Sequence, residues 1–299
     1  MKNRSLDLTV KNSCEAHRYC RQLAKSHYEN FTVVVPFLSQ DIRQDLANIY
    51  AFCRWADDLG DESPSPGQAL EHLHRFEKML EQLFAGEPPP HPVFRALVET
   101  VERRNLEIKP FRDLISAFRQ DQTKTRYQTF KELIDYCSRS ANPVGRLVLA
   151  CFDAATEKNI YYSDLTCSGL QLTNFWADVA IDLDKDRIYI PAEDMRRFGV
   201  STSQLLQRKM NDQLRNLLAF EVERTRNWLE NGRNLLGKPG LFASFSIDIF
   251  NSGGLAVLDK LEQKKYTVFQ QRWTIGKLDR IKIILGALGR MFSRKLGQQ

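Results

Sequence analysis

The segment QLTNFWADVAID (residues 171–182) contains neither glycine nor proline and is predicted to be helical. At the period of a helix, Gln171, Asn174, Asp178 and Asp182 lie on one face, because they are three, four and four residues apart. An apolar stripe on a neighbouring face is typical of a helix that packs against a core. The stripe consists of Leu172, Phe175, Val179 and Leu183.

A second acidic cluster lies much earlier in the chain, in RWADDLGDE (residues 54–62). Asp57 and Asp61 are four residues apart, and Asp58 is three before Asp61. One such cluster is more often a solvated helix end, but two clusters beside apolar and aromatic residues are costly unless cations neutralise them. Carboxylates one turn apart suit Mg²⁺, and Mn²⁺ would satisfy the same ligands. We call the face shared by Gln171, Asn174, Asp178 and Asp182 the polar ridge. If the acidic cluster at residues 57–62 faces this ridge, the arrangement predicts metal-assisted departure of diphosphate.

The composition indicates a folded globular protein. Of the 299 residues, 42% are hydrophobic and 27% are charged, with mean hydropathy −0.42. The net charge of +6 suits anionic substrates or membrane surfaces, but no dense basic block with interleaved aromatics marks a nucleic-acid face. Six cysteines without CxxC spacing indicate reduced thiols. With no signal-peptide pattern at the start and no apolar run of about 18–20 residues, we expect a cytoplasmic protein.

The helical periodicities predict one all-α domain over residues 1–299, a bundle with its sites between facing helices. About 12 N-terminal and about 10 C-terminal residues are expected to be peripheral. Asp41 is a candidate helix cap, and the apolar segment 30–38 is expected to be a buried short helix or turn. Helices are predicted at 13–29, 41–60, 68–85, 93–105, 110–120, 129–155 with a kink at Pro143, 158–183, 191–197, 202–233 without interruption, 240–262, and from 274.

Two arginines are candidates for binding phosphate oxygens. Arg54 lies one turn before Asp58, and Arg187 follows Asp182. An ordinary intrahelical pair between Arg54 and Asp58 explains the first of them equally well. Tyr189 is either a phosphate donor or a core residue.

Aromatic residues are candidates for a pocket whose π-faces contact a cation. Tyr136, Phe31, Phe175 and Trp176 are the residues in question, although each of them alone suits a core position better. A helix break at the Pro-Val-Gly step 143–145 accompanies them.

Taken in order, these motifs resemble the squalene/phytoene synthase family over residues 15 to 290. Within that family, the chain is most similar to the hydroxysqualene synthase type of the bacterial hopanoid pathway, the HpnC branch. The segments that carry the resemblance are HYENF (27–31), YAFCRWADD (50–58), RSANPVG (139–145) and NFWADVA (174–180), followed by Arg187, Tyr189 and Pro191.

The resemblance implies an α-helical isoprenoid synthase fold with a central cavity. It implies that presqualene diphosphate loses its diphosphate with Mg²⁺ assistance, and that water captures the rearranged cation to give hydroxysqualene. The implied metal ligands are Asp57, Asp61, Asp178 and Asp182, and we expect Asp58 to carry Mg²⁺ with them. The implied catalytic residues are Asp57, Asp61, Asp178, Asp182 and Tyr136, and the implied substrate-binding residues are Asn30, Phe31, Arg54, Gln171, Asn174, Arg187 and Tyr189.

The chain departs from the wider family pattern at Ile181, Ser138 and Asn142-Pro143, where the family often has an acid, a tyrosine and a glycine. These departures favour a branch that handles only the second step, with a presqualene diphosphate synthase as partner. No GxGxxG fingerprint is present, and NADPH is not expected. Two alternatives remain open. One is condensation of two farnesyl or geranylgeranyl diphosphates, and the other is a non-catalytic prenyl-binding partner of a related synthase.

The C-terminal segment from Lys277 mixes aliphatic residues with lysine and arginine. Such a helix can lie on an anionic membrane surface, which predicts peripheral contact with the inner face of the cell membrane. A last core helix with a frayed basic tail explains the same residues at least as well.

Overall fold

The regular secondary structure of the described chain is helical, apart from one isolated β-bridge between Arg126 and Ile188. The computed structural model describes residues 6–27, 38–237 and 240–296, and the all-α prediction is confirmed there. A short 3₁₀ turn, Arg233–Leu235, follows the twelfth helix. The α-helices are α1 Ser13–His27, α2 Gln40–Asp61, α3 Pro66–Phe84, α4 Pro92–Arg104, α5 Lys109–Gln120, α6 Phe130–Ser140, α7 Asn142–Cys151, α8 Glu157–Ala177, α9 Val179–Asp184, α10 Ala192–Arg197, α11 Thr202–Leu206, α12 Asp212–Gly232, α13 Leu241–Gln263 and α14 Lys277–Leu296.

Most predicted helices are found within a few residues of their predicted bounds, but the uninterrupted helix 202–233 is wrong. It divides into α11 and α12, because Arg208 adopts a left-handed backbone conformation with φ 53°. The side chain of Asn211 then accepts a hydrogen bond from the backbone N–H of Leu214 and starts a new helix. The predicted helix 129–155 likewise divides into α6 and α7, next to the predicted kink.

Smaller corrections concern caps and termini. The cap of α2 is Ser39, whose side chain accepts from the backbone N–H of Ile42, and Asp41 lies in the first helical turn instead. The predicted buried segment 30–38 lies outside the described residues except for Leu38. None of the six cysteines forms a disulfide. Within the described ranges, every helix is too short or too polar to cross a membrane.

The chain divides into two compact units. The first comprises residues 1–123 and 143–155, and the second comprises residues 124–142 and 156–299. The expectation that residues 1–299 form a single domain stays a prediction.

Helix α2 is the centre of the first unit, where it packs against α1, α3, α4 and α5. Its Phe52 is fully buried and contacts the ring of Phe76 at a centroid distance of 5.0 Å and the ring of Phe111 at 4.9 Å. Large aromatic rings contribute much of the free energy of folding because each removes a large apolar area from water. This packing holds the acidic end of α2 on a rigid helix.

A buried carboxylate joins α2 to α4. Asp45 is fully buried, and it accepts hydrogen bonds from Thr100 Oγ1 at 2.9 Å, Arg103 Nη1 at 2.9 Å and Arg104 Nε at 2.8 Å. These donors balance the cost of removing the charge from water. The cluster therefore fixes the register between the two helices.

We expect Asp45→Asn to lower the free energy of unfolding by about 3 kcal/mol, because it leaves two arginines facing a neutral group in a buried site. Chemical denaturation followed by circular dichroism measures this change. The control is Asp41→Asn on the exposed first turn of the same helix, which should change stability by less than about 1 kcal/mol. Equal effects of the two substitutions would contradict the assigned role of Asp45.

In the second unit, α8 packs closely against α12 and α13. Gly169 on α8 allows this approach, since a Cβ atom there would lie 2.8 Å from Leu229 Cδ2 on α12. The indole N–H of the fully buried Trp176 donates to Thr225 Oγ1 at 2.7 Å. The contact of Trp176 holds α8 against α12 in the middle of the polar ridge, between Asn174 and Asp178.

A buried cluster of charged side chains lies about one turn earlier on α12. Glu221 is fully buried, and its Oε2 contacts Arg224 Nη2 at 2.5 Å, while the same arginine donates to Asp194 at 2.8 Å. The guanidinium of Arg224 also lies over the ring of Phe130, 3.5 Å from its centroid. Burial raises the pKa of Glu221 to about 8 against the opposing effect of Arg224, and neighbouring Asp194 adds to the rise. The buried site therefore favours the protonated form of Glu221 more than water does.

This shift predicts a pH-dependent stability. Because the pKa of Glu221 is higher in the folded state than in the unfolded state, its stabilising contribution is complete below about pH 4.5 and is lost as pH rises through about 8. Between about pH 5.5 and 8, wild-type protein should lose about 2 kcal/mol more stability than Glu221→Gln. Denaturation curves at both pH values test this. The control is Glu223→Gln, at an exposed position of α12, which should keep the wild-type pH dependence of stability. If wild type and Glu221→Gln lose the same stability between the two pH values, the assigned role of Glu221 is wrong.

Candidate active site

The first acidic cluster lies at the C-terminal end of α2. Arg54 Nη2 is 2.5 Å from Asp58 Oδ1, and Arg54 Nη1 is 3.3 Å from Asp57 Oδ2. Asp58 is buried, whereas Asp57 is 42% exposed and Asp61 is exposed. The intrahelical pair is therefore present, and the substrate-binding role of Arg54 stays a prediction.

The position of these carboxylates on α2 is electrostatically unfavourable without a cation. The C-terminal end of a helix carries partial negative charge, which repels carboxylates. The last turn of α2 contains no basic residue, yet Asp58 and Asp61 lie there. Arg54, one turn earlier, is a counter-charge in contact with Asp57 and Asp58. An added cation would stabilise this end of the helix.

The polar ridge of the second unit runs across the junction of α8 and α9. Asp178 interrupts the helix with φ −104° and ψ 12°, but the hydrogen bonds continue: its N–H donates to Asn174 O at 2.8 Å, and the N–H of Asp182 donates to Asp178 O at 2.9 Å. The ridge therefore keeps its common face. Asn174 is exposed and Gln171 is half-buried. All four residues of the predicted apolar stripe are buried.

Arg272 contacts both carboxylate oxygens of Asp178. Its Nε lies 2.5 Å from Asp178 Oδ1, and its Nη2 donates to Oδ2 at 2.8 Å. Arg272 lies between α13 and α14 in a segment without regular structure. No motif in the sequence indicates this residue, because the contact joins positions far apart in the chain and the segment has no periodicity.

Asp182 is the most perturbed carboxylate of the ridge. Burial raises its pKa to about 7, with a further rise from nearby Asp178, and Arg187, Lys185 and Arg272 oppose this shift. The pKa of Asp178 is also raised, chiefly by burial and against the pull of Arg272. Within the described residues, Asp182 Oδ2 is buried and has no hydrogen-bond partner. Two desolvated carboxylates one turn apart form a site that a cation would neutralise.

An aromatic cluster lies beside the ridge. The rings of Phe175 and Tyr189 are stacked, with centroids 3.8 Å apart and an interplanar angle of 11°. Tyr136 lies 6.2 Å from Phe175 and 6.1 Å from Tyr189, and Tyr127 lies 5.7 Å from Tyr136. Tyr127 was not indicated by the sequence motifs, because a lone tyrosine in a loop carries no periodic signal.

The other members of the predicted aromatic pocket are placed differently. Trp176 touches the edge of Phe175, but its indole N–H points toward Thr225 of α12. Asn30 and Phe31 lie outside the described residues, and their roles stay predictions. Tyr189 is buried, as a core residue would be.

Arg187 is placed beside Asp182 by a tight turn. Asp186 has φ 54°, which turns the chain back so that the N–H of Arg187 donates to Asp182 O at 2.8 Å. A small pocket next to this turn has about 10 Å³ of free space, room for one water molecule. The pocket is lined by Phe175, Val179, Asp182, Leu183, Arg187, Ile188, Tyr189, Ile190 and Leu205.

The donor set fits a magnesium ion that also binds substrate. Within the described residues, no group of three or more histidine, cysteine, aspartate or glutamate side chains is close enough to form a complete metal cage. Mg²⁺ commonly uses only one or two carboxylates and completes its octahedron with water and substrate phosphates. Asp178 and Asp182 provide such a pair. That the cluster on α2 faces this pair stays a prediction.

Comparisons with solved structures define the class of fold. The crystal structure of the squalene synthase HpnC from Alicyclobacillus acidocaldarius superimposes with a TM-score of 0.81 at 38% identity, over 85% of this chain and 95% of that one. A dehydrosqualene synthase in complex with ligand gives a TM-score of 0.85 over 94% of this chain and 98% of that one, and at 24% identity it supports the fold alone. The fold is that of the α-helical isoprenoid synthases.

Sequence comparison identifies the family within this class. The squalene/phytoene synthase family profile matches residues 24–279. A phytoene synthase from Arthrospira platensis is 33% identical over 273 residues, which cover 86% of this chain and 87% of that protein. The chain belongs to the squalene/phytoene synthase family of enzymes.

Proposed function

We propose that this protein is a Mg²⁺-dependent isoprenoid synthase that converts presqualene diphosphate to hydroxysqualene. The observation that carries the proposal is the pair of desolvated carboxylates, Asp178 and Asp182, one helical turn apart beside an aromatic cluster. A cation site next to aromatic π-faces suits a reaction in which an anion leaves and a carbocation remains.

The residues of the second unit have distinct roles in this proposal. Asp178 and Asp182 would hold Mg²⁺, which when bound would stabilise the departing diphosphate. The side chain of Arg272 is 52% exposed, so its guanidinium is accessible to the diphosphate oxygens of a bound substrate. Arg187 adds a second positive charge beside Asp182.

The aromatic rings would contact the hydrocarbon part of the substrate. The buried cluster of Phe175, Tyr189 and Tyr136 would stabilise a developing cation through its polarizable rings without reacting with it. Asp57, Asp58 and Asp61 on α2 are proposed to bind a further cation and Arg54 to contact diphosphate. Gln171 and Asn174 extend the polar face of α8, and we assign them to substrate binding.

Support for the specific reaction comes from the similarity to the squalene synthase HpnC structure, which is 38% identical. The departures at Ile181, Ser138 and Asn142-Pro143 are consistent with a branch that performs only the second step. A presqualene diphosphate synthase would then supply the substrate. Contact of the basic C-terminal helix with the inner face of the cell membrane would let the apolar product leave.

A second candidate reaction is head-to-head condensation of two farnesyl or geranylgeranyl diphosphates. The phytoene synthases of Arthrospira platensis and of Synechocystis favour it, since each is 33% identical over 273 residues. Both reactions need the same diphosphate-leaving chemistry, so the carboxylate pair alone does not separate them.

One assay distinguishes these reactions. Purified protein with Mg²⁺ receives farnesyl, geranylgeranyl or presqualene diphosphate, and the lipid products are analysed by mass spectrometry. Hydroxysqualene from presqualene diphosphate supports the proposal, and a C30 or C40 product from farnesyl or geranylgeranyl diphosphate supports the second reaction. Binding of a prenyl diphosphate without any product would instead indicate a non-catalytic partner and would overturn both reactions. Chelation of Mg²⁺ by EDTA is the matched control.

A further inference from the structure

The outer face of α14 carries an exposed apolar stripe. Leu278, Ile281 and Leu285 are 75%, 53% and 63% exposed, and their spacing of three and four residues places them on one side of the helix. A surface helix normally turns such a face toward the core. The stripe is therefore a surface that the rest of the described chain leaves uncovered.

The inner face of the same helix is held by charges. Lys260 Nζ on α13 lies 2.5 Å from Asp279 Oδ2, and Arg290 Nε lies 2.7 Å from the buried Asp248 Oδ2, also on α13. Between them only Ala287 of α14 is fully buried. The half-buried Ile283 and Ile284 share the inner side with these ion pairs. The three exposed aliphatic residues therefore form a second apolar face, which the described chain does not cover.

Basic residues border the stripe on both sides. On a helical projection, Lys277 lies on one side of the three aliphatic residues and Lys282 on the other, and both lysines are exposed. Asp279 is the only acidic residue in α14, and Lys260 already pairs with it. An apolar stripe between two lysines is complementary to an interface of acyl chains and anionic headgroups.

We propose that this face of α14 docks on the surface of an anionic lipid bilayer, with Leu278, Ile281 and Leu285 inserted and Lys277 and Lys282 on the headgroups. Three side chains offer only a few hundred Å² of apolar surface, less than the roughly 800 Å² per partner that a stable protein interface buries. A bilayer therefore fits the stripe better than a second copy of the chain. The purpose of docking, which is release of an apolar product, rests on the proposed function. The geometry of docking is argued from α14 alone.

Vesicle sedimentation of the full chain tests this surface without substrate. We expect wild type to bind vesicles with about 30 mol% phosphatidylglycerol in phosphatidylcholine, and to bind pure phosphatidylcholine far more weakly. Leu278→Ser, Ile281→Ser and Leu285→Ser combined should weaken binding at least about tenfold. Lys277→Glu with Lys282→Glu should remove the preference for phosphatidylglycerol. The matched control combines Leu8→Ser, Tyr161→Ser and Leu206→Ser, at positions 40%, 60% and 55% exposed, and should bind like wild type.

Several outcomes would overturn the docking surface. In one, wild type binds neither kind of vesicle. In another, the triple α14 variant binds vesicles as tightly as wild type does. In a third, light scattering shows that wild type is a dimer and that the triple variant is a monomer, because the stripe would then pack against a second copy of the chain. Thermal unfolding establishes that each variant is folded. Turnover of detergent-dispersed substrate should be unchanged in the triple variant, so failure of docking and failure of the proposed reaction are measured separately.

Discussion

Asp182→Asn is expected to lower turnover of the prenyl diphosphate substrate about 1000-fold or more while leaving the fold intact. Asp182 is a half-buried carboxylate whose pKa is raised to about 7 by burial and by Asp178, so its surroundings disfavour the charged form. The amide has the same shape and removes the repulsion between the two side chains. The loss should therefore appear in catalysis and in Mg²⁺ binding, not in stability.

Thermal unfolding provides a readout besides activity. Mg²⁺ with inorganic diphosphate should raise the melting temperature of wild type by several degrees and leave that of Asp182→Asn nearly unchanged. Asp184→Asn is the matched control, because Asp184 lies two residues further on in α9, is 65% exposed and pairs with Arg208. The control should keep a rate within about twofold of wild type. Wild-type turnover in Asp182→Asn would contradict the assignment of the metal site.

The polar ridge could be predicted because its signal is local. Gln171, Asn174, Asp178 and Asp182 share a face through helical spacing alone, and the backbone hydrogen bonds across Asp178 preserve that spacing. The buried stripe beside it follows from the same periodicity. Helix bounds were predictable for the same reason, wherever a proline or a cap lay close to the boundary.

The features that escaped prediction depend on contacts or conformations without a local signal. Arg272 reaches Asp178 from a segment without periodicity, so only the folded chain brings the two together. The break between α11 and α12 needs a left-handed conformation at Arg208, a residue type that seldom adopts it. Tyr127 joins the aromatic cluster from a loop. Side-chain pattern predicts which face is polar, and tertiary contacts decide what meets that face.

Arg272→Gln is expected to lower kcat/KM about 100-fold, because glutamine supplies neither the charge nor the planar fork that contacts carboxylate and phosphate oxygens. In the structure, Arg272 contacts both carboxylate oxygens of Asp178. An arginine there competes with Mg²⁺ for Asp178 and, once displaced, is close enough to bind the diphosphate. The substitution should therefore have opposite effects on the metal alone and on the metal with diphosphate.

Mg²⁺ titrations followed by thermal unfolding separate these two effects. Without diphosphate, Arg272→Gln should respond to Mg²⁺ at lower concentration than wild type, since Asp178 no longer has a competing cation. With inorganic diphosphate, the added stabilisation should be smaller than in wild type, because one phosphate-binding group is lost. Arg208→Gln removes the exposed partner of Asp184 and should behave like wild type in both titrations. A variant of Arg272 that loses Mg²⁺ binding in both titrations would mean that this arginine only positions Asp178, and the role in diphosphate binding would be wrong.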